Sequence, residues 1–595
     1  MNPYSESRFI GFVSMVSPLQ TKVHFPSSVL LKKFFNADKG YHAITGKYIV
    51  IEGTGVGFLG KITEISLPEK ERLELTEAKF EKEIFHPTGK VEILLCFDNY
   101  KLKAKKGLDQ LPPVSAKVYL CSDEFLGSLL TEFGVKEGVK PITIPLASLP
   151  DNENHKIDVS SQALFGRHCA IVGTTGGGKS WTVAKLIEEV VTQNGKAILI
   201  DATGEYETLS VGNDKIKYLS FIDGTNPTYF NYKSMRESDL IAMFRPAGQV
   251  QLPKFQDAIK SLRLRELIIN DTSAMKDEPI VKTLLSYSDL GGSKKCFSKQ
   301  HRERNTFSIV MDKYPDVNNE DCNFDINHLN RQISLECVFE YPSSFEMNNN
   351  SIITGVKPTL KDYGNINDRD LGNCHSLISR IKSLLINKNF SKTLGFGKID
   401  TEFKELTNEF DLFFDDKCKE NVLIISVEKV SSEGSLREIL VNAIGRYLLE
   451  SALTKNFKED NKKSLLLFLD EAHLFLNKKI KDEYSIEVEL DAFDRIAKEC
   501  RKFGLFLVIS TQMPRDIPRG VLSQMGTFIV HRLINQQDRE AIEFACSDAN
   551  KSALSFLPIL SSGEAMLTGV DFPMPMILKI TEPTVKPDSN TPSVF

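Results

Sequence analysis

Eight consecutive residues, Gly173, Thr174, Thr175, Gly176, Gly177, Gly178, Lys179 and Ser180, spell Gly-x-x-x-x-Gly-Lys-Ser. Glycines at that spacing let backbone N–H groups close around a phosphate. The apolar run Cys169 to Val172 precedes them and the helix-like stretch Trp181 to Ile187 follows, so the loop opens a helix whose N-terminus favours an anion. In that setting Lys179 reaches the β- and γ-phosphates of a nucleoside triphosphate, and Ser180 holds Mg2+. Trp181, the next residue, is a further candidate for nucleotide contact.

Phosphoryl transfer also needs a carboxylate for the metal and a group to orient the attacking water. Leu465 to Leu469 followed by Asp470 and Glu471 supplies both, with Asp470 assigned to Mg2+ and Glu471 to the water. An ordinary strand end with an acidic helix cap is the other reading of that pair. Gln512 ends the run Leu505 to Thr511, where it can reach the γ-phosphate or the water. Arg501 and Arg495 lie in the charged stretch Asp494 to Lys502 and are candidates for an arginine finger into a neighbouring subunit; for each the alternative is a solvated helix face. Arg167, six residues before Gly173, is a second candidate for phosphate contact, and Asp201 ends a strand where it can orient metal-bound water or Lys179.

Strands must carry these residues, and the pattern supplies them in two dialects. From about residue 8 to 125 the runs are short and broken by glycine and polar turns: Ile10 to Val16, Tyr48 to Glu52, Gly57 to Ile65, Val91 to Phe97 and Ala116 to Cys121. That spacing predicts a small antiparallel barrel. Pro141, Pro145 and Pro150, then Asp151 to His155, read as a connector. Beyond it near-continuous apolar strands (Cys169 to Val172, Ala197 to Asp201, Val422 to Val427, Leu465 to Asp470, Leu505 to Thr511, Thr527 to His531) alternate with helices, the mark of a buried parallel sheet of the α/β class. The resulting division is 1–150 barrel, 151–580 core with an insertion at about 207–420, and 581–595 irregular tail. Helices are expected at Phe255 to Asn270 and Ser376 to Ile386, and Tyr314 to Asp370, centred on Asn348-Asn349-Asn350, reads as an insertion on the sheet.

Composition narrows the function further. With 595 residues, 41% hydrophobic and 26% charged, the chain is globular and longer than one ordinary domain. A net charge of −5 provides no global basic field, so nucleic-acid contact would have to come from local clusters such as Lys478-Lys479-Ile480-Lys481 or Lys215-Ile216-Lys217. Ten scattered cysteines without metal-site spacing, no signal pattern and no 18-residue apolar run point to a cytoplasmic protein with no membrane contact.

The set Arg167-His168, Gly173 to Ser180, Asp201-Ala202-Thr203-Gly204-Glu205-Tyr206, Asp470-Glu471-Ala472-His473, Arg501-Lys502-Phe503-Gly504 and Ser510-Thr511-Gln512, in that order, resembles the HerA family, bacterial and archaeal relatives of the FtsK DNA pumps. The resemblance covers about two thirds of the chain. It implies a RecA-like P-loop NTPase core behind an N-terminal barrel and a homo-hexameric ring. It also implies ATP and Mg2+ as cofactors, and movement along double-stranded DNA. On the barrel side it implies a partner enzyme, a nuclease in DNA end resection or a nuclease or sirtuin-like NADase effector in antiviral defence. The chain departs from the family at Thr203, where His is frequent, at Cys500, where a small residue is frequent, and in the size of the insertion. A ring that chiefly assembles and switches an effector, a repair helicase, and a secretion or conjugation ATPase remain alternatives.

Overall fold

A computed structural model describes residues 2–17, 20–26, 45–67, 86–105, 110–133, 142–150, 152–288, 295–348, 358–415, 417–457, 463–476, 478–481, 487–546 and 551–589. The chain divides into two compact units, one made of residues 1–193 and 506–587 and the other of 194–505 and 588–595.

The first unit opens with seven antiparallel strands: β1 (Phe9–Val16), β2 (Thr21–His24), β3 (Tyr48–Ile51), β4 (Val56–Ser66), β5 (Thr88–Asp98), β6 (Ala104–Lys105) and β7 (Lys117–Leu120). Their order is β2-β1-β7-β3-β4-β5-β6, and β2 also pairs with β5 through Thr21 and Val91, so six of the seven close into a barrel. Period-2 alternation drives this closure by sending Ile10, Val23, Ile49, Phe58, Val91 and Val118 into one interior cluster. The expected barrel is present. Only Thr21–His24 and Ala104–Lys105 escape the sequence pattern, being too short to show a period.

The chain then enters a sheet with β8 (Thr143–Leu149), β9 (Asn152–Ser160) and β10 (His168–Val172). This corrects the reading of the proline stretch as a connector, and it ends the barrel before residue 143. Pro145 is tolerated because it sits at a register shift between β8 and β9, where no regular ladder donor is needed. Pro141 and Asp151 lie outside the described residues. The same unit resumes with β19 (Leu505–Thr511, from its second residue), β20 (Met525–His531), β21 (Glu564–Gly569) and β22 (Met576–Ile580). β10 runs parallel between β19 and β20, and β21, β22, β8 and β9 follow antiparallel. All five residues of β10 are buried, and each buried Ile or Val side chain contributes about 2 kcal/mol. From Thr581 to Ser589 the tail forms no helix or strand; its last six residues lie outside the described residues.

The second unit holds β11 (Lys196–Asp201), β12 (Ile216–Phe221), β13 (Pro227–Tyr229), β14 (Lys404–Glu405), β15 (Val422–Ser426) and β16 (Leu465–Leu469), all parallel, in the order β14-β13-β12-β15-β11-β16. A hairpin of β17 (Lys478–Lys481) and β18 (Glu487–Leu490) follows. Because β12, β13 and β14 belong to the sheet, the excursion is shorter than the expected 207–420 and runs from Phe230 to Phe403. Strands of three and two residues carry too little pattern to be read. The excursion packs its own core around Leu264, Val281, Phe297, Phe307 and Val310. The expected helices appear as Gln251–Asn270 and Asp368–Ile386. Of the Asn-rich centre only Asn348 is described. Among the described residues no helix is long and apolar enough to cross a membrane.

Candidate active site

In the first unit β10 delivers the chain to the glycine loop, and the helix Lys179–Thr192 starts directly after Gly178. Gly178 has φ +113°, a value that a side chain resists, which explains glycine at the helix cap. The first helical N–H groups have no partner within the helix and are available to an anion. Lys179 is buried, and its Nζ donates to the Thr174 carbonyl at 3.2 Å, curling back over the loop. Thr175 Oγ1 donates to Gln512 Oε1 at 2.5 Å, which ties the predicted γ-phosphate reader at the end of β19 to the loop itself. Gly173 N donates to Thr511 O and Thr174 N to Arg532 O, so the loop is bonded to the strand on either side of β10.

His531, at the end of β20, shows in the sequence only as the last residue of a strand. It is fully buried against the loop: a Cβ on Gly173 would stand 2.5 Å from His531 Cβ. Its Nε2 lies 2.8 Å from Thr182 Oγ1 and its Nδ1 3.0 Å from the Glu564 carbonyl. Burial pushes the imidazole down to about 4, and the charge of Lys179 adds to that, so the ring is neutral near pH 7. A histidine closing the apolar run Phe528-Ile529-Val530 is the one signal that could have flagged it.

In the second unit β11 and β16 are parallel neighbours with Ile200 opposite Leu469, and Asp470 N donates to Ile200 O at 3.1 Å. The register puts Asp201 and Asp470 side by side at the carboxyl ends of their strands. Asp201 is fully buried, with Oδ1 accepting from Thr203 N and Gly204 N and Oδ2 from Tyr206 N. Burial raises it to about 6 despite those amides. Its carboxylate is thus occupied in shaping the Thr203–Tyr206 turn. Glu471 adopts φ +45°, left-handed for a residue with a long side chain, at a cost of about 1 kcal/mol. Such strain concentrates where a side chain must be aimed, and Glu471 Oε2 stands 3.2 Å from His473 Nδ1.

The remaining expected residues separate clearly. Arg167, Gly173 to Trp181 and Gln512 belong to the first unit; Asp201, Asp470, Glu471, Arg495 and Arg501 belong to the second. Arg167 sits at the opposite end of β10 from the loop, roughly 16 Å of extended chain away, ion-paired to Asp571 at 2.9 Å. Trp181 is half-buried beneath the Lys586 ammonium, 4.6 Å from the ring centre. Arg501 is exposed and makes no ion pair among the described residues, whereas Arg495 lies 3.8 Å from Glu499. Both basic clusters carry acidic partners: Lys479 pairs with Glu489 at 2.9 Å, and Lys217 with Glu409.

Residues 144–338 match a family model described as Helicase HerA, central domain, and residues 451–581 match one described as Helicase HerA-like C-terminal. Together they span more than half of the chain. The chain belongs to the HerA family. It is similar to the DNA double-strand break repair helicase HerA of Sulfolobus acidocaldarius, 24% identical over 553 residues that cover 90% of this chain and 88% of the relative. The protein of the same name from Pyrococcus furiosus is 23% identical over 469 residues, covering 78% and 72%. The solved plasmid coupling protein TrwB in complex with ADP and Mg2+ covers 79% of this chain and 95% of its own, at 12% identity and a TM-score of 0.43. The HerA-family chain is a nucleotide-binding ATP hydrolase with a P-loop core and an N-terminal barrel, as its motifs indicated.

The donors suit a magnesium nucleotide. Gly178 at φ +113° and the helix start behind it form a backbone cradle for phosphate, and the Ser180 hydroxyl lies on that first turn. No group of three or more His, Cys, Asp or Glu side chains among the described residues is placed to hold a metal unaided. Mg2+ asks for no such cage, taking one or two protein oxygens with substrate phosphates and water.

Proposed function

We propose that this HerA-family protein assembles as a ring, a homo-hexamer in the cytoplasm, and uses ATP with Mg2+ to move along or process double-stranded DNA. The observation that carries this reading is the match of both HerA models, in order, together with relatives named for double-strand break repair that align along 88% and 72% of their lengths. Those names favour repair over antiviral defence. A partner enzyme, a nuclease or a sirtuin-like NADase, would dock on the barrel.

Each residue has a chemical task in this reading. Lys179 and the loop N–H groups bind the β- and γ-phosphates, and Ser180 and Asp470 hold Mg2+. Glu471 orients the water, and Gln512 reads the γ-phosphate through a loop it already touches. Arg501, exposed and without an ion pair among the described residues, is the finger for a neighbouring subunit's nucleotide. Arg167 stands too far along β10 to serve its own loop, so any phosphate it meets belongs to another copy. Asp201 shapes the turn after β11. The test is ATP turnover with and without duplex DNA across a salt series: stimulation that fades steeply with salt supports a DNA motor, and turnover indifferent to duplex DNA overturns it.

A further inference from the structure

The phosphate loop is gripped from outside by residues that no motif includes. Besides touching Gly173, the His531 ring lies against Gly178, where a Cβ would stand 3.2 Å from its Cε1 and 3.3 Å from Gly563 Cα. A carbonyl only accepts, so in the neutral ring Nδ1–H donates to Glu564 O, and Nε2 faces the Thr182 hydroxyl, on the first turn after Ser180, whose one hydrogen is shared with the Gly178 carbonyl at 3.0 Å. The turn Ser561 to Glu564 completes the grip. Ser562 Oγ donates to Gly176 O at 3.1 Å and Gly563 N to Gly177 O at 3.2 Å. A trans peptide is planar with C=O and N–H opposed. Anchoring Gly177 O to the turn therefore aims the Gly178 N–H away from it.

We propose that His531, acting with the Ser561–Glu564 turn, is a positioning residue for nucleotide binding, holding the phosphate loop in its cradle before the phosphates arrive. This rests on the reading that the loop binds ATP, and adds that its shape is imposed by β20 and the turn before β21. Its contribution is binding made equally to the ground and transition states, so its loss raises KM and leaves kcat.

Trp181, the one tryptophan of the chain, directly follows Ser180, so its emission is the probe chosen for binding. In titrations of the full-length protein with ATP and with ADP, His531→Ala weakens both nucleotides about tenfold or more and raises KM in step, with kcat within roughly threefold. His531→Asn, which replaces the donor to Glu564 O, recovers most of that affinity. Should His531→Ala fail to fold, Ser562→Ala combined with Thr182→Val removes two of the gripping hydrogen bonds without touching the ring, and weakens ATP about fivefold. Wild-type affinity in folded His531→Ala, or in the double variant, overturns the proposal. A kcat that collapses at unchanged KM overturns it too. Failure of the unaltered protein to bind ATP overturns the assignment of the loop itself.

Discussion

The phosphate loop and the acidic strand end are both costly to build, and the chain meets the two costs differently. The loop is shaped from a distance: Thr174 N bonds to Arg532 O, Gly177 O to Gly563 N and Thr175 to Gln512, each more than 330 residues away. In the acidic corner the strands meet at long range, Asp470 N on Ile200 O, but the turns that aim the carboxylates are shaped at home. Asp201 is wrapped by amides two to five residues ahead, and Glu471 carries its strain in its own backbone. A short motif can therefore be complete in sequence while its geometry is owed to another third of the chain. It also follows that distant substitutions should injure phosphate binding and spare the carboxylates.

The largest expected break is Lys179→Ala, which brings phosphate release to background and abolishes ATP binding while the second unit keeps its fold by circular dichroism. Arg501→Ala should come next, lowering turnover by about 10³-fold in intact rings, whereas Arg495→Ala, whose exposed partner is worth little, changes it less than about threefold. Mixing Arg501→Ala with Lys179→Ala subunits should restore part of the activity; absence of rescue, or the reverse ranking of the two arginines, would move the finger elsewhere.

A subtler contrast lies in acid. His531 has a folded value of about 4 against about 6.5 unfolded, so its share of stability is present above 6.5 and lost as pH falls through 4. Asp201 runs the other way: its folded value of about 6 exceeds the unfolded value near 3.8, so its share is present below about 4 and lost as pH rises through 6. In melting curves between pH 4 and 7, His531→Asn should flatten the acid-side loss and Asp201→Asn the loss toward pH 6. If both variants altered the profile in the same sense, the opposed titration would be wrong. The smallest effect on stability is expected from Glu471→Asn, which suits a left-handed backbone better and should raise the unfolding free energy by about 1 kcal/mol, read from denaturant melts, while removing turnover.

Sequence legibility follows the same division. The residues that speak through local pattern were readable: the glycine loop, the two acids after Leu469, the buried parallel strands and the alternation behind the barrel. Residues whose meaning is set at long range were not. His531 and Ser562 carry no motif, and nothing local says that they hold Gly173, Gly176 and Gly178. Pro145 within β8, with Pro141 and Pro150 on either side in the sequence, disguises a strand as a linker, and a register shift excuses Pro145 from the ladder. The insertion, whose polar sequence reads as an excursion on the sheet, is held together internally by buried charge: Lys299 meets Glu336 at 2.5 Å, and Ser261 donates to the same carboxylate. Such a pair is visible only once the helices are packed.

In the proposed function one loop binds ATP, and Glu471, aimed by its strained backbone, is needed only to hydrolyse it. Glu471→Gln tests this in a single preparation, with Trp181 emission for ATP binding and single-turnover phosphate release for chemistry. The expected result is ATP affinity within about threefold of wild type and hydrolysis slower by about 10²-fold or more, on the order expected for removal of a general base. Hydrolysis near the wild-type rate, or loss of ATP binding together with turnover, would contradict it.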